Sequence, residues 1–332
     1  MAKEIISHSP KRCQYDAGQI FRGEPSGVAL WGYDLPSPRV PALDQGYALS
    51  QWQVDLVQWW AHAPAQPVFV CGPAGCGKTS GLKQLAARVN QPVYEVTGHD
   101  AMQPVDLEGC LSLGASAQGV VETRWLYGPL ASAMREGALF IFNEIDMANP
   151  ASLVALNTVL DGSPLVIEQT GEAVSPAPGF MFAATGNSAG AGDASGAYAG
   201  VMRQNFALVD RFLFIEAEYM RPQEESSLLM RRVPGLPAHV ALKMACFADL
   251  TRRAAQKEAE GEYDQYNDLV LPVSSRALAR WGRMTMAYLK ARDRINVLEK
   301  AMMLAFGNAR DEGQRRAYKE ILQRVIGEEF KI

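Results

Sequence analysis

Apolar residues along this chain follow two kinds of pattern, and the change falls near residue 219. Before it, short apolar runs alternate with stretches of helical spacing, such as Thr79–Val89. The candidate strands are Pro67–Cys71, Pro92–Val96, Ala138–Phe142, Gly179–Ala184 and Arg211–Ile215. Strands that alternate with helices predict an α/β domain, in which a parallel sheet is covered by helices on both faces.

The two ends of the chain differ from this central part. Residues 1–48 are rich in proline and glycine and lack sustained periodicity, which predicts an extended segment on the surface of the next domain. The α/β core is predicted at residues 49–218 and begins with a helix over Leu49–His62. Residues 219–332 lack strand patterns and predict a helical lid domain. Its helices are expected near Ala238–Glu258, Ser274–Ala291, Ile295–Phe306 and Arg310–Val325.

Composition removes several classes of protein. The chain has 332 residues, with 32 Lys and Arg against 36 Asp and Glu, and its net charge of -4 gives no reason to expect a nucleic-acid partner. No apolar run approaches the roughly 18 residues that a membrane span needs, and the start lacks the apolar stretch of a secretion signal. Five cysteines without a Cys-x-x-Cys pair are typical of reduced thiols. We therefore expect a cytoplasmic globular protein without a membrane partner.

The strongest motif is a phosphate-binding loop. Its eight residues, GPAGCGKT, match G-x-x-x-x-G-K-[ST] between a predicted strand and a predicted helix. Glycines there let backbone N–H groups turn toward phosphate oxygens, and the helix N-terminus adds its positive dipole end. Lys78 is predicted to reach the β- and γ-phosphates of a nucleoside triphosphate, and the Thr79 hydroxyl to bind Mg²⁺. The predicted nucleotide contacts are Gly72, Pro73, Ala74, Gly75, Cys76, Gly77, Lys78, Thr79 and Ser80.

An acidic motif follows the apolar run Leu139–Phe142. The sequence LFIFNEID resembles a Walker B strand, which holds one group near Mg²⁺ and a carboxylate that orients the attacking water. Glu144 is the predicted catalytic carboxylate, and the alternative is a strand that simply ends in solvated acids. Asn143 stands where aspartate is usual and is a predicted Mg²⁺ contact. Its amide brings no negative charge, which predicts slower turnover or weaker Mg²⁺ affinity.

Taken in order, these motifs resemble AAA+ ATPases of the MoxR type, and most of all the CobS-like small ATPase subunits of cobaltochelatase. The similarity covers about residues 32–219. Besides the two motifs, it rests on Val40–Tyr47, Gly128–Leu130, Phe182–Asn187, the Gly-rich stretch Gly190–Tyr198 and Val209–Phe212. The resemblance implies an AAA+ P-loop NTPase core, with a parallel five-stranded sheet between helices in the order 5-1-4-3-2, and a C-terminal helical lid. It also implies a homo-oligomeric ring, a hexamer.

The same resemblance implies roles for two sensor residues. Asn187 matches the first sensor, an amide that contacts the γ-phosphate or the attacking water, and the structural alternative is an Asn that caps a turn. In the lid, Arg276 matches the second sensor, which reaches across to the γ-phosphate. Arg280 lies one turn later on the same helical face and is the rival for that position.

A third implied role belongs to an arginine near the end of the core. Arg211 matches the arginine finger, which stabilises charge on the phosphoryl group bound by a neighbouring subunit. Arg203 is a rival for that role, and the structural alternative for Arg211 is an ion pair with Asp210 or another surface acid. Two inserts, Asp100–Arg124 and Pro164–Pro178, resemble family elements that face the pore or the partner, and the second is predicted to be a hairpin. The alternative is an ordinary surface hairpin.

The combined prediction is an ATP-hydrolysing ring motor that uses ATP and Mg²⁺. The resemblance suggests that it remodels or activates a partner protein with a von Willebrand A-type domain. One alternative is the motor subunit of a cobalt or magnesium chelatase, with the metal chemistry in a partner. Two further alternatives are a DNA-processing motor of the restriction type and a slow nucleotide-gated binding module.

Overall fold

A central parallel sheet, a small N-terminal unit and a C-terminal group of helices make up the chain. The computed structural model describes residues 10–47, 49–115, 121–190, 192, 200–259, 271–291 and 296–326. The strands are β1 (Arg12–Asp16), β2 (Ala29–Tyr33), β3 (Val68–Cys71), β4 (Val93–Thr97), β5 (Gly109–Ala115), β6 (Val121–Tyr127), β7 (Leu139–Asn143), β8 (Leu165–Val166), β9 (Ala173–Val174), β10 (Met181–Gly186) and β11 (Leu213–Glu216). The α-helices are α1 (Ala17–Arg22), α2 (Gln53–His62), α3 (Lys78–Arg88), α4 (Val105–Glu108), α5 (Pro129–Glu136), α6 (Leu156–Leu160), α7 (Phe206–Val209), α8 (Pro222–Arg232), α9 (Ala238–Ala259), α10 (Ser275–Lys290), α11 (Val297–Ala305) and α12 (Glu312–Ile326).

The central sheet has the order β11-β3-β10-β7-β4, and each neighbouring pair is parallel. Numbered along the chain, this is the order 5-1-4-3-2, so the implied topology is confirmed. Each of the five strands lies within or beside a predicted apolar run. Phe140 and Ile141 point to opposite faces of β7 and both are fully buried, as expected for a parallel sheet that is covered on both sides.

The carboxyl ends of the parallel strands meet at one edge of this sheet. Gly72 follows β3 directly, Glu144 follows β7, and Asn187 follows β10. In open α/β sheets, this edge is the usual position for a ligand site. The topology therefore brings three motifs together that lie far apart in the sequence.

The C-terminal helices have an apolar core of their own. Phe247, Trp281 and Tyr318 are fully buried there, and the Phe247 and Trp281 ring centroids lie 5.1 Å apart. The four predicted helices are present, but α8 was not predicted, because its sequence PQEESSLLMRR has only a short apolar segment. No helix in the described residues is long and apolar enough to cross a membrane.

The N-terminal segment is more regular than its composition predicts. The prediction of an extended segment missed an antiparallel pair, β1 with β2, and the short helix α1 between them. Leu30 is fully buried, and the Trp60 indole donates a hydrogen bond of 2.9 Å to the Trp31 carbonyl. The hydrogen bond attaches β2 to α2, and Leu30 belongs to the same buried cluster as Trp60. The prolines lie outside the two strands, which explains why a pattern dominated by proline concealed them.

Both predicted inserts project from the core as paired strands. Within residues 100–124, α4 leads into the antiparallel pair β5–β6, whose connection at 116–120 lies outside the described residues. Residues 164–178 contain the antiparallel pair β8–β9, so that hairpin prediction is confirmed. Most of the Gly-rich stretch 190–198 also lies outside the described residues.

Candidate functional site

A cavity of about 350 Å³ lies between the sheet edge and the lid helices. This volume is within the range of small-molecule sites. Its described lining includes the predicted residues Ala74–Ser80, Asn143, Glu144, Asn187 and Arg276. Gly72 and Pro73 precede the lining at the start of the loop. The fold thus gathers the two motifs, the first-sensor residue and one lid arginine around a single space.

The loop between β3 and α3 has the backbone of a phosphate cradle. Gly77, the residue before α3, has φ +101°, and Gly75 has φ +77°, in a region that side chains disfavour. A Cβ on Gly75 would lie 2.7 Å from the Cβ of Ser274 in the lid. Glycine therefore allows the loop to turn and the lid to approach it closely.

The Lys78 side chain already points into the cavity. Its Nζ donates to the carbonyl oxygens of Gly72 and Pro73 at 2.6 and 3.0 Å, and to Oδ1 of Asn187 at 3.1 Å. These three bonds engage all the protons of the ammonium group. Lys78 is 9% exposed, and burial lowers its pKa below the ordinary value of 10.5. A phosphate oxygen would replace acceptors that are now supplied by the protein.

Two hydroxyl groups converge on the amide of Asn143. Thr79 Oγ1 donates to Asn143 Oδ1 at 2.6 Å, and Thr185 Oγ1 donates to the same oxygen at 3.2 Å. On the other side, Asn143 Nδ2 donates to Glu95 Oε1 at 2.6 Å. Hydroxyl and amide oxygens are hard ligands of the kind that Mg²⁺ prefers. Thr79 and Asn143 therefore fit a Mg²⁺ contact, although neither brings a charge.

Glu144 occupies a strained position at the end of β7. Its φ is +51°, in the left-handed region, which costs a non-glycine residue about 1–3 kcal/mol. The side chain is exposed and lines the cavity, and its backbone N–H donates to Thr185 Oγ1 at 3.2 Å. The strand end thus turns so that a solvated carboxylate faces the space beside Lys78.

Asp146 supports the site without lining the described cavity, and the sequence did not indicate this role. It is fully buried, and its Oδ2 accepts hydrogen bonds from the backbone N–H groups of Asn187 at 2.8 Å and Ser188 at 2.9 Å. The turn after β10 is therefore held by Asp146. The Asn187 side chain is left to accept a hydrogen bond from Lys78, so Asn187 does more than cap a turn.

Comparisons with known proteins agree with this geometry. Residues 67–212 match the family model "AAA domain (dynein-related subfamily)". The denitrification regulatory protein NirQ of Stutzerimonas stutzeri is 40% identical over 131 residues, which are 39% of this chain and 45% of NirQ. Protein NorQ of Paracoccus denitrificans is 32% identical over 192 residues, which are 57% of this chain and 66% of NorQ. The aerobic cobaltochelatase subunit CobS of a Sinorhizobium species is 28% identical over 319 residues, which are 94% of this chain and 90% of CobS. The chain thus carries an AAA domain at residues 67–212 and is similar to NirQ, NorQ and CobS.

The matches differ in how much of each relative they cover. The chain spans 45% of NirQ and 66% of NorQ, less than two thirds of either protein. Among solved structures, a mutant form of Thermotoga maritima RuvB has a TM-score of 0.48 and 14% identity, covering 79% of this chain and 72% of that chain. The resemblance inferred from the motifs is confirmed, and the fold class follows from the observed strand order and phosphate loop.

Arg211, the predicted arginine finger, lies outside the described lining of the cavity. Its Nε and Nη2 bind the two carboxylate oxygens of Asp161 at 2.8 and 3.0 Å, and Nη1 donates to the Ala207 carbonyl. The ion-pair partner is therefore Asp161, and the structure does not pair Arg211 with Asp210. Arg203 is exposed and is also absent from the described lining.

The lid supplies two cations to the cavity of the AAA+ site. Arg276, at the start of α10, lines the cavity, whereas Arg280 is not part of the described lining, and both side chains are exposed. Arg232, the last residue of α8, also lines the cavity and was not predicted. No helix was predicted at α8, so the sequence gave no reason to place Arg232 at the cavity.

A buried polar network joins the lid to the phosphate loop. Arg252 makes a bidentate ion pair with Glu225 at 2.7 and 2.9 Å, and their side chains are 5% and 2% exposed. The Ser275 hydroxyl, next to Arg276, also donates to Glu225. The Arg252 guanidinium lies 3.9 Å from the ring centroid of Tyr219, whose hydroxyl donates to the Ala74 carbonyl at 2.7 Å. The phosphate loop and the start of α10 therefore share one set of contacts.

Proposed function

We propose that this AAA+ chain hydrolyses ATP in a homo-oligomeric ring, as a hexamer, with Mg²⁺ held by Thr79 and Asn143. The observation that carries the proposal is the separation of two sets of groups. Lys78 and Glu144 face one cavity, whereas Arg211 is partly exposed and lies outside the described lining. An arginine in this position is available to the nucleotide of the next subunit, and a ring gives every site one such neighbour.

Each residue of the site has a defined part in the proposed reaction. The loop N–H groups and Lys78 hold the β- and γ-phosphates, and Glu144 orients a water in line and accepts its proton as the oxygen bonds to the γ-phosphorus. The bond from that phosphorus to the β–γ bridging oxygen breaks and leaves ADP and phosphate. Mg²⁺, when bound, neutralises charge on the phosphates. Arg211 of the neighbouring subunit stabilises the charge on the transferred group.

The same proposal includes a weakness at Asn143. The amide presents an oxygen to Mg²⁺ but no negative charge. We expect slower turnover or a higher Mg²⁺ requirement than in relatives that carry aspartate there. The arrangement is also compatible with a nucleotide-gated module, in which binding moves the lid and hydrolysis only resets it.

The proposed work of the motor is to remodel or activate a partner protein, with a von Willebrand A-type domain, in the cytoplasm. The pair β5–β6 supports a partner contact, since Leu113 and Val121 are 74% and 70% exposed. The motor subunit of a metal chelatase is the second candidate. It is favoured by the alignment with the cobaltochelatase subunit CobS over 94% of this chain.

The deciding experiment is Mg²⁺-dependent ATP hydrolysis measured over a range of protein concentrations. Specific activity should rise steeply with concentration, because each site is completed by a second subunit, and light scattering should show a ring over the same range. A Glu144→Gln variant serves as the control without chemistry. A rate that equals this control at all concentrations, despite tight ATP binding, would favour the gated module, and an active monomer would refute the ring.

A further inference from the structure

Four side chains form a closed polar cycle beside the proposed Mg²⁺ site. Thr79 Oγ1 donates to Asn143 Oδ1 at 2.6 Å, and Asn143 Nδ2 donates to Glu95 Oε1 at 2.6 Å. The other carboxylate oxygen, Glu95 Oε2, forms an ion pair with Lys83 Nζ. Lys83 and Thr79 both belong to α3, which closes the cycle. Glu95 belongs to none of the motifs that define the site.

The topology explains why these residues meet. Thr79 and Lys83 are four residues apart in α3 and therefore share one helix face. Asn143 is paired with Thr97 across β7 and β4, and Glu95 lies two residues before Thr97 on the same face of β4. Such diagonal neighbours are within reach of long side chains.

The carboxylate of Glu95 determines how the Asn143 amide is oriented. Only an NH₂ group can face a carboxylate at hydrogen-bond distance, so the amide oxygen must point the other way, toward Thr79. An aspartate at position 143 would instead place a second carboxylate about 2.6 Å from Glu95. Two carboxylates so close would repel each other and could share no hydrogen bond. An amide on β7 therefore matches a carboxylate on β4.

We propose that Glu95 is a positioning residue of the Mg²⁺ site, which fixes the Asn143 amide and supplies from β4 the negative charge that Asn143 lacks. This inference rests on the proposed function, since it assumes that Mg²⁺ and ATP bind at Thr79 and Asn143. The Glu95 carboxylate is one side chain farther from the Mg²⁺ position than a direct ligand would be, and Lys83 neutralises part of its charge. The compensation is therefore partial, in agreement with the weakness proposed for Asn143.

The first test compares two partners of the same ion pair in the full-length chain. Binding of a fluorescent, non-hydrolysable ATP analogue is titrated with Mg²⁺ for the wild type, Glu95→Gln and Lys83→Met. Glu95→Gln should raise the Mg²⁺ concentration for half-maximal binding about tenfold, as outer-shell partners of metal ligands do. Lys83→Met should lower it, because it removes the competing cation. Analogue affinity at saturating Mg²⁺ should change little.

If Glu95 served only the ion pair with Lys83, the two variants would behave alike. Shifts in the same direction, or no shift in either variant, would overturn the proposal. Lys83→Met leaves the contact between Glu95 and Asn143 intact, so it remains informative even if Glu95→Gln folds poorly.

The second test needs no nucleotide. Thermal unfolding is measured without added nucleotide for Asn143→Asp, Glu95→Gln and the double variant, which reverses the amide and the carboxylate. Asn143→Asp should lower Tm, and adding Glu95→Gln should restore most of the loss. An unchanged Tm in Asn143→Asp, or no restoration in the double variant, would contradict the pairing. A wild type that does not bind the analogue would overturn the proposed function and the Mg²⁺ role together, while this cycle still decides whether the two side chains are matched.

Discussion

The ion pair between Arg211 and Asp161 gives a sharp test of the arginine-finger role. The two side chains are 29% and 51% exposed, and pairs exposed to this degree are worth about 0.2–1 kcal/mol. An arginine finger contributes roughly 10³–10⁵ to the hydrolysis rate. If Arg211 acts on the neighbouring nucleotide, breaking its ion pair with Asp161 costs little free energy compared with the stabilisation that Arg211 gives the transition state. Asp161→Asn should therefore change kcat by no more than about fivefold, and Arg211→Ala should lower it by about a thousandfold or more.

The assay is steady-state ATP hydrolysis at saturating ATP and Mg²⁺, with Tm as a control for folding. A mixture of Arg211→Ala with Lys78→Ala shows whether the arginine acts between subunits. Each variant alone should be inactive, whereas mixed rings contain interfaces with an intact Lys78 on one side and an intact Arg211 on the other. Recovery of activity on mixing is expected. The reasoning is refuted if the mixture stays inactive while both variants still assemble, or if Asp161→Asn is as damaging as Arg211→Ala.

Three further predictions concern the lid, the loop and the N-terminal unit. Glu225→Ala leaves the Arg252 guanidinium buried without its ion-pair partner, so chemical denaturation should show a loss of about 3–5 kcal/mol, and a loss below about 1 kcal/mol would contradict the buried network. Gly75→Ala places a Cβ 2.7 Å from Ser274 at a φ of +77°, so a fluorescent ATP analogue should bind at least about tenfold more weakly, and unchanged binding would show that the lid tolerates displacement. Three backbone N–H bonds lower the pKa of Asp16 to about 2 from 3.8. Its stabilisation is therefore present above about pH 4 and lost as pH falls through about 2, and the Tm difference between the wild type and Asp16→Ala should shrink over that interval.

The central sheet was accessible from the sequence because its strands are buried on both faces. Continuous apolar runs such as Leu139–Phe142 are distinct from the alternating patterns of surface strands. Alternation of strands and helices, however, does not specify the strand order, and the order came from the family resemblance. The strands β1 and β2 were missed because the prolines around them dominate the local pattern, although the strands themselves contain none.

The site was predictable where its chemistry is local and obscure where it depends on neighbouring strands. Lys78 and Thr79 belong to one contiguous motif with a fixed spacing. Asp146 reads in the sequence as another solvated acid at a strand end, and only the adjacency of β10 and β7 shows that it holds the turn after Gly186. The partner of Arg211 lies 50 residues away along the chain, too far for any local pattern to indicate it.

The Lys78 side chain is already fixed in one position, and this affects the energetics of nucleotide binding. A free lysine loses about 2 kcal/mol of rotamer entropy when it is fixed on a ligand. Here the loop carbonyls and the Asn187 amide already hold the ammonium in place, so most of that loss occurs during folding of the chain and not during binding. The protein therefore exchanges one set of acceptors for another when a phosphate enters. Substitutions that remove these hydrogen bonds of Lys78, even at residues that do not touch phosphate, should therefore weaken nucleotide binding. The loss should appear in the binding entropy, which calorimetry can separate from the enthalpy.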